Sequence, residues 1–368
     1  MTRMIKRIAY CLIAVLTTLT AVFSCTKKET AGGGSVILHL SLTSVETRAD
    51  TPGDGFVNDG GGLGLGENLD LVILIADDQS NIVKRFRGTN TQDGQLVSQT
   101  ATDAFIKFAF SPHTDGDYTV YAFGNTEGWP MLSRNKADTE DIEVETEDLM
   151  DSGIIDKVFQ LEALTFNCNL DPNTPITILN GRIPLAAQGA LTVHPNLNGE
   201  VSLELLRCLA KVSAEIINNT GTTLNLYDYK HKVYGMCPST GYVLKHTPDE
   251  ADNSPGYLLA DPCTLYQNAN YYIPITAEGS GQYSWYVFPS QGPYTVDISF
   301  TLNKSTPSQK KYQYKGLPVT NWKAENILSL ARNQHLHVVT RISKGVTVSF
   351  NFQVTGWGDP INESVTFD

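Results

Sequence analysis

The sequence predicts an all-β protein built from two antiparallel sandwiches, and three observations carry that expectation. Apolar residues recur with a period of two in many short runs, β-branched and aromatic residues fill those runs, and Gly, Pro, Asn and Asp separate most of them. Strands that face a core on one side and water on the other read in this way. At 368 residues the chain is longer than one compact domain usually is, which suggests two units on a length prior of about 150 residues each.

Taken in order, the first alternating run is "VILHLSL", with Val36, Leu38, Leu40 and Leu42 on one face and Ile37, His39 and Ser41 on the other. "LDLVILIA" (Leu69–Ala76), "AFIKFAF" (Ala104–Phe110) and "YTVYAFG" (Tyr118–Gly124) follow as strands of the first unit. The acidic "KADTEDIEVETEDLMD" (Lys136–Asp151) reads as one short surface helix with a solvated charged face. "TVHPNLNGE" (Thr192–Glu200) reads as a boundary, giving a first sandwich over residues 49–198 and a second over 199–368. "VSLELLRCLAKVSAEII" (Val201–Ile217) opens the second, and "YSWYVF" (Tyr283–Phe288), "YTVDISFTL" (Tyr294–Leu302), "LHVVTRI" (Leu336–Ile342) and "VTVSFNFQV" (Val346–Val354) continue it. No fixed-period repeat is visible, which disfavours a solenoid or propeller.

Ahead of the first run, Arg3, Lys6 and Arg7 precede an apolar segment from Ile8 to Ser24. Its length and interrupting threonines fit a secretory signal peptide over residues 1–24 better than a membrane span, which needs about 20 apolar residues. "VFSC" (Val22–Cys25) resembles the lipobox of bacterial lipoproteins, so Cys25 is the expected lipidation site. "TKKETAGGGS" then reads as a tether, and residues 25–48 as a lipidated propeptide ending at Arg48, with Ala49 as the first residue beyond. An acidic balance, 27 Lys and Arg against 39 Asp and Glu for a net charge of −12, argues against nucleic acid and gives anionic headgroups nothing to attract.

Chemistry is sparse. The chain has no G-x-S-x-G elbow, no H-E-x-x-H, no P-loop and no dinucleotide fingerprint, so neither an enzyme nor a cofactor is expected. Beyond Cys11 and Cys25, Cys168, Cys208, Cys237 and Cys263 contain no C-x-x-C and read as buried thiols, with one disulfide of open pairing allowed. His335 and His337 fall on one face of a strand without a third ligand in view and read as surface histidines, so no metal site is expected. "ADDQSN" (Ala76–Asn81) lacks the calcium-loop spacing and reads as a hairpin turn. Trp129, Trp285, Trp322 and Trp357 read first as core or rim; exposed, they would offer stacking surfaces for sugars, the basis of an alternative reading as an anchored glycan-binding lipoprotein.

The lipobox at Cys25, the strand-like propeptide, "TRA" at Thr47–Ala49, "LDLVILIADDQSNIV", "YTVYAFGNTEG", "LLRCLAKVSAEI", "YYIPI", "LARNQHLHVVTRI" and "VTVSFNFQVTGW" appear in that order. The chain thereby resembles the FimA-type fimbrillins, the type V pilin family of Bacteroidota. The resemblance implies two transthyretin-like β-sandwiches, exported as an outer-membrane lipoprotein and cut after Arg48 by an arginine-specific surface protease. It implies partners of the same kind: other pilin subunits, joined by strand exchange into a surface fimbria that serves adhesion. Cleavage would remove the lipid and the strand Val36–Leu42 together. The donor would come from a carboxy-terminal strand, either the face Val346, Val348, Phe350, Phe352 and Val354 or the last run "ESVTFD" with Val365 and Phe367. Which of the two crosses, and whether the subunit belongs to a shaft or a tip, stays open on the residues alone.

Overall fold

The computed structural model describes residues 35–42, 71–87, 94–99, 103–110, 116–167, 183–194, 198–235, 240–245, 263–267, 273–277, 279–321 and 323–356. These residues form an all-β protein with two sandwich cores. The first half contributes β1 (Ser35–Leu42), β2 (Leu71–Ala76), β3 (Ile82–Arg87), β4 (Gly94–Gln99), β5 (Asp103–Ala109) and β6 (Gly116–Gly124). A small layer follows, with β7 (Met131–Arg134), β8 (Asp141–Val144), the five-residue helix α1 (Val158–Glu162) and β9 (Thr165–Asn167). β10 (Leu185–Val193) and β11 (Gly199–Arg207) return to the first sandwich.

These strands make one hydrogen-bonded path in the order β3-β2-β6-β10-β11-β1-β5-β4. The path is pinched where β10 and β11 pair only at Leu185–Arg207 and Ala186–Leu206. Beyond that corner the strands separate, and the inward residues of both halves share one core. A Cβ at Gly189 in β10 would lie 2.4 Å from Leu203 Cδ2, so glycine is what lets β11 cross there.

β2 is buried along its whole length, unlike a half-exposed strand. Leu71, Ile73 and Ile75 enter the sandwich core, while Val72, Leu74 and Ala76 join a second apolar cluster beneath the small layer. That layer corrects one expectation. The acidic stretch Lys136–Asp151 holds β8 and a 3-10 turn at Glu147–Met150, with no α-helix. The cause is a period-two pattern under the charges: Ile142, Val144 and Thr146 point toward the cluster, and Thr146 Oγ1 donates to Thr126 Oγ1 at 3.1 Å. Buried Gln160 anchors α1, its Oε1 accepting from the Asp156 and Lys157 amides and its Nε2 donating to the carbonyls of Arg134 and Ile154.

The second half opens with β12 (Ala210–Asn219), β13 (Leu224–Tyr234), β14 (Thr240–Tyr242), β15 (Cys263–Gln267), β16 (Ile273–Ile275) and β17 (Ser280–Val287). β18 (Ser290–Gln291), β19 (Thr295–Leu302), β20 (Lys310–Pro318), β21 (Ser329–Leu330), β22 (Gln334–Ser343) and β23 (Thr347–Gly356) complete it. One sheet runs β17-β12-β22-β23 and the other β15-β13-β19-β20, with β16 beside β13; β14 extends the small layer through β9, and β18 pairs with β21. The strand Gly199–Arg207, expected to open the second unit, pairs with β1 in the first sheet, and the second core begins at Ala210. Two ladders also depart from the antiparallel expectation, because β1–β11 and β12–β22 are parallel. Parallel neighbours need a long crossover, and each pair here is separated by most of its sandwich.

The turn expected at "ADDQSN" forms between β2 and β3, where Asp77 Oδ1 accepts from the amides of Gln79 and Asn81 at 3.0 and 2.8 Å.

Candidate functional site: a strand held in the middle of a sheet

Of the sequence's candidate functional segments, the strand Val36–Leu42 is placed most completely, as β1. This strand lies between β5 and β11, so both of its backbone edges are engaged. It runs parallel to β11, in register from Val36–Gly199 to Leu42–Leu205, and antiparallel to β5, from Ser35–Ala109 to Ser41–Asp103. The alternation in "SVILHLSL" becomes strict alternation of burial, with Val36, Leu38 and Leu40 at 0% exposure and Leu42 at 3%. Burying four such side chains contributes up to about 6–12 kcal/mol at ~1.5–3 kcal/mol each.

The outward face of β1 is also engaged. The His39 ring stacks on Phe105 of β5 with centroids 4.3 Å apart and an interplanar angle of 2°. Its Nε2 lies 2.9 Å from Asp103 Oδ1. At the start of the strand, the Ser35 amide and hydroxyl donate to Asn198 Oδ1 at 3.2 and 2.8 Å.

Taking β1 away would leave the facing edges of β5 and β11 without backbone partners and open an apolar trench between them. Unpaired edges in a buried sheet are costly, and a strand of any origin with the right alternation relieves that cost. β1 thus occupies a slot in the sheet whose two edges and apolar floor match one alternating strand.

The other candidate residues fall in several places. Val348, Phe350, Phe352 and Val354 lie in β23 and pack against the second core, with Phe352 8% exposed. β23 pairs with β22 through ten residues, from Ser343–Thr347 to Gln334–Gly356. Val346 sits in the 3-10 turn before it. Cys25, Arg48, Ala49, Val365 and Phe367 lie outside the described residues, as do Cys168, Cys237, Trp322 and Trp357; only the backbones of Cys263 and Trp285 are described. Cys208 is a buried free thiol whose Sγ approaches the Val243 carbonyl at 3.4 Å, and burial pushes its pKa up to about 11. Trp129 is buried, 5.4 Å edge-to-face from Phe166, and offers no platform for a sugar.

One expectation is overturned and one constellation was missed. His335 and His337 are buried, at 3% and 2% exposure, on the face of β22 that lies beside Lys211, Ser213 and Glu215 of β12. Ser213 Oγ sits 2.7 Å from both His335 Nε2 and His337 Nδ1, and His337 Nε2 lies 3.1 Å from Glu215 Oε2. Hydrogen-bond logic orders the protons. Facing a carboxylate, His337 Nε2 carries hydrogen; in the neutral ring its Nδ1 then accepts from Ser213, which in turn accepts from His335 Nε2–H.

Glu, His and Ser in contact resemble a hydrolytic triad by composition. Yet Ser213 is fully buried and its hydroxyl is shared between two rings, so the group acts as a hydrogen-bond chain stitching β12 to β22. The signal was present as polar residues at period two in both "KVSAEI" and "HLH", but only the parallel pairing brings them together. Among the described residues no group of three or more His, Cys, Asp or Glu is arranged to hold a metal.

The fold and the slot define a class: a double β-sandwich whose first sheet is completed by a strand from the amino-terminal region. No protein-family model matches the chain, and no curated protein is detectably similar to it in sequence. Among solved structures it is similar to a candidate cell adhesion protein from Parabacteroides distasonis, with a TM-score of 0.54, 10% identity, and coverage of 90% of this chain and 99% of that one. It also aligns with a fimbrilin from Porphyromonas gingivalis W83, at a TM-score of 0.43 and 12% identity over 88% of this chain and 97% of that one. The fimbrial anchor protein Mfa2 of Porphyromonas gingivalis aligns at a TM-score of 0.38 and 9% identity, over 88% and 98%. Only the first of these scores reaches the level of a shared overall fold.

Proposed function

We propose that this chain is a structural subunit of a cell-surface fimbria of the fimbrillin type, serving adhesion and assembled by strand exchange at the β1 slot. The carrying observation is the position of β1: it is an interior strand of the first sandwich, yet it joins the rest of the protein only through residues 43–70, which contain Arg48. In this reading the subunit is exported as a lipoprotein on Cys25 and held at the outer membrane. An arginine-specific surface protease cuts between Arg48 and Ala49. β1 then has no covalent tie to its sheet and leaves with the lipid.

A strand from another subunit that runs parallel to β11 and antiparallel to β5 reuses both vacated ladders. Such a strand needs apolar residues at every second position, which both carboxy-terminal candidates have. Lending β23 would require breaking its ten-residue ladder with β22 and exposing Phe352, a cost that favours the last run, with Val365 and Phe367, as donor. The solved structure that shares the overall fold, described as a candidate cell adhesion protein, supports the same reading.

The test uses two variants of the full chain. Arg48→Ala is expected to accumulate as a lipidated monomer, while the unaltered chain, treated with an arginine-specific protease, forms SDS-sensitive ladders and fibres in negative stain. Deletion of residues 358–368 is expected to give a cleaved, folded monomer. Fibres from Arg48→Ala at the normal level would sink the processing step, and ladders from the deletion variant would move the donor to β23.

A further inference from the structure

The apolar face of β1 holds the strand in its slot but does not fix where along the slot it sits. Val36, Leu38, Leu40 and Leu42 are near-equivalent, so a slide of two residues puts leucine in the place of leucine and keeps every inward residue inward. A slide of one residue is excluded by the pleat; a slide of two is not. The outward face is what distinguishes the registers, because its residues Ser35, Ile37, His39 and Ser41 differ from one another.

Only His39 among them can both stack and donate. It is opposite Phe105 in the β5 ladder and Ser202 in the β11 ladder. Asp103, which it contacts at 2.9 Å, is opposite Ser41, so the imidazole reaches diagonally to the next residue of its own face. The remaining charged neighbours in the two ladders are Lys107 opposite Ile37 on β5, and Glu200 and Glu204 opposite Ile37 and Ser41 on β11. Of these charged groups Asp103 touches the ring, and the ladders place two further carboxylates and one ammonium at the flanking positions of the same face. They suit a planar donor of hydrogen bonds at this position and disfavour an acidic one. A two-residue slide would bring Ile37 or Ser41 over Phe105, and neither meets both demands.

We propose that His39, Asp103 and Phe105 form a register lock that holds Val36–Leu42 in its slot against sliding and against replacement by a strand of another copy. This inference rests on the strand-exchange reading above and adds an autoinhibitory contact to it. The chain's own candidate donors lack the matching group. The outward face of β23 carries Thr347, Ser349, Asn351 and Gln353, and the last run carries Ser364, Thr366 and Asp368, with no His or Arg in either. The lock therefore belongs to the amino-terminal strand alone, and an incoming strand wins only once the cut after Arg48 has made the resident strand free to dissociate.

Two measurements test it. In the uncleaved full chain, His39→Ala is expected to speed amide hydrogen exchange in β1 by about tenfold, the loss of a charge-assisted hydrogen bond and a ring stack. His39→Arg, which keeps a planar donor, restores protection; Ile37→Ala, the neighbouring outward position, changes it little. His39→Ala and Asp103→Asn combined have about the effect of either alone, as one shared contact requires.

In protein cut after Arg48, displacement of the resident strand by excess synthetic peptide of residues 358–368 is expected to be about tenfold faster for His39→Ala. Exchange and displacement within twofold of wild type in His39→Ala overturn the lock and leave strand exchange standing. Failure of the peptide to displace the strand from any cut protein counts against the strand-exchange reading instead. The hydrogen-exchange result in the uncleaved chain then decides the lock by itself: a tenfold change with arginine rescue supports it, and no change rejects it.

Discussion

The two sandwiches are made from similar strands and are vulnerable in opposite ways. The first is closed by β1, a strand in mid-sheet whose inward face is wholly aliphatic and whose continuity with the rest depends on residues 43–70. The second keeps its strands within one stretch of chain but buries polar and ionisable groups: His231, His335, His337, Lys211 and Ser213 are each under 4% exposed. A sheet completed by an aliphatic strand asks of that strand's inward face only apolar residues at every second position. A sheet cross-linked by specific hydrogen bonds is committed to its own partners. On the strand-exchange reading proposed above, the difference places exchange in the first sandwich and permanence in the second.

The largest test of this contrast removes β1. A chain that starts at Ala49 is expected to lose up to about 6–12 kcal/mol of apolar burial from the first sandwich alone. Region-resolved hydrogen exchange should show β5 and β11 unprotected, while β12 and β22 keep the rates of the full chain. Added peptide covering Val36–Leu42 should restore β5 and β11. Full protection in the shortened chain without peptide would mean that β1 is dispensable and that no slot opens.

How much of this was legible in advance depended on whether a signal was local. The strand β1 and its inward face follow from seven residues, because a period of two needs no long-range knowledge. The hairpin turn at Asp77 was equally local. The parallel neighbours of β1 and β22 were not legible: Gly199–Arg207 is distant in sequence, and nothing in an alternating strand states which partner lies beside it. For the same reason His335 and His337 read as surface residues. The neighbours they meet, Ser213 and Glu215 of β12, are distant in sequence, and Ser213 looks like any solvent-facing serine. The acidic run Lys136–Asp151 misled in another way, since its charge density hid the period-two spacing of Ile142, Val144 and Thr146.

The next effect separates the sandwiches by acid. Burial pushes the His231 pKa down to about 4, and burial, then Lys211 and His337, hold His335 well below the usual imidazole range. A histidine whose folded pKa is depressed binds its proton more readily when unfolded. The second sandwich therefore has its full stability above about pH 6.5 and loses it as pH falls toward 4, by about 3 kcal/mol for His231 alone. Hydrogen exchange between pH 7 and 4.5 should show the second sandwich opening first. His231→Leu, neutral at every pH, should flatten that limb, and equal acid sensitivity of both sandwiches would contradict the assignment.

Arg332 tests whether the two regions are independent. Its buried guanidinium donates to the carbonyls of Val243 and Leu244 in the segment after β14, and to Ala186 in β10 of the first sandwich. Arg332→Met keeps much of the volume and leaves those carbonyls short of a donor, an expected cost of about 1–3 kcal/mol. Because the contact spans both regions, the loss should appear in the unfolding of each, read by calorimetry as earlier and more separated transitions. A loss confined to one transition would show that the regions are coupled elsewhere.

The smallest effect guards the acid experiment. Asp228 sits at the bulge of β13 with φ of 53°, and its carboxylate accepts from Lys304 Nζ at 2.6 Å. That hydrogen bond holds its pKa below the usual carboxylate value, as the bond from His337 does for Glu215. The sign is the same as for the buried histidines, and only the pH window differs. A carboxylate with a depressed folded pKa contributes stability above its unfolded pKa of about 4 and loses it only as pH falls further. Carboxylate loss thus lies below pH 4 and histidine loss between about 6.5 and 4. Both members of the Asp228–Lys304 pair are more than a third exposed, so solvent screens the attraction. Lys304→Ala should then change stability at pH 7 by no more than about 0.5 kcal/mol and leave the limb between pH 6.5 and 4.5 unaltered. A variant that shifted that limb would tie the acid response to surface charge and remove the buried histidines from its explanation.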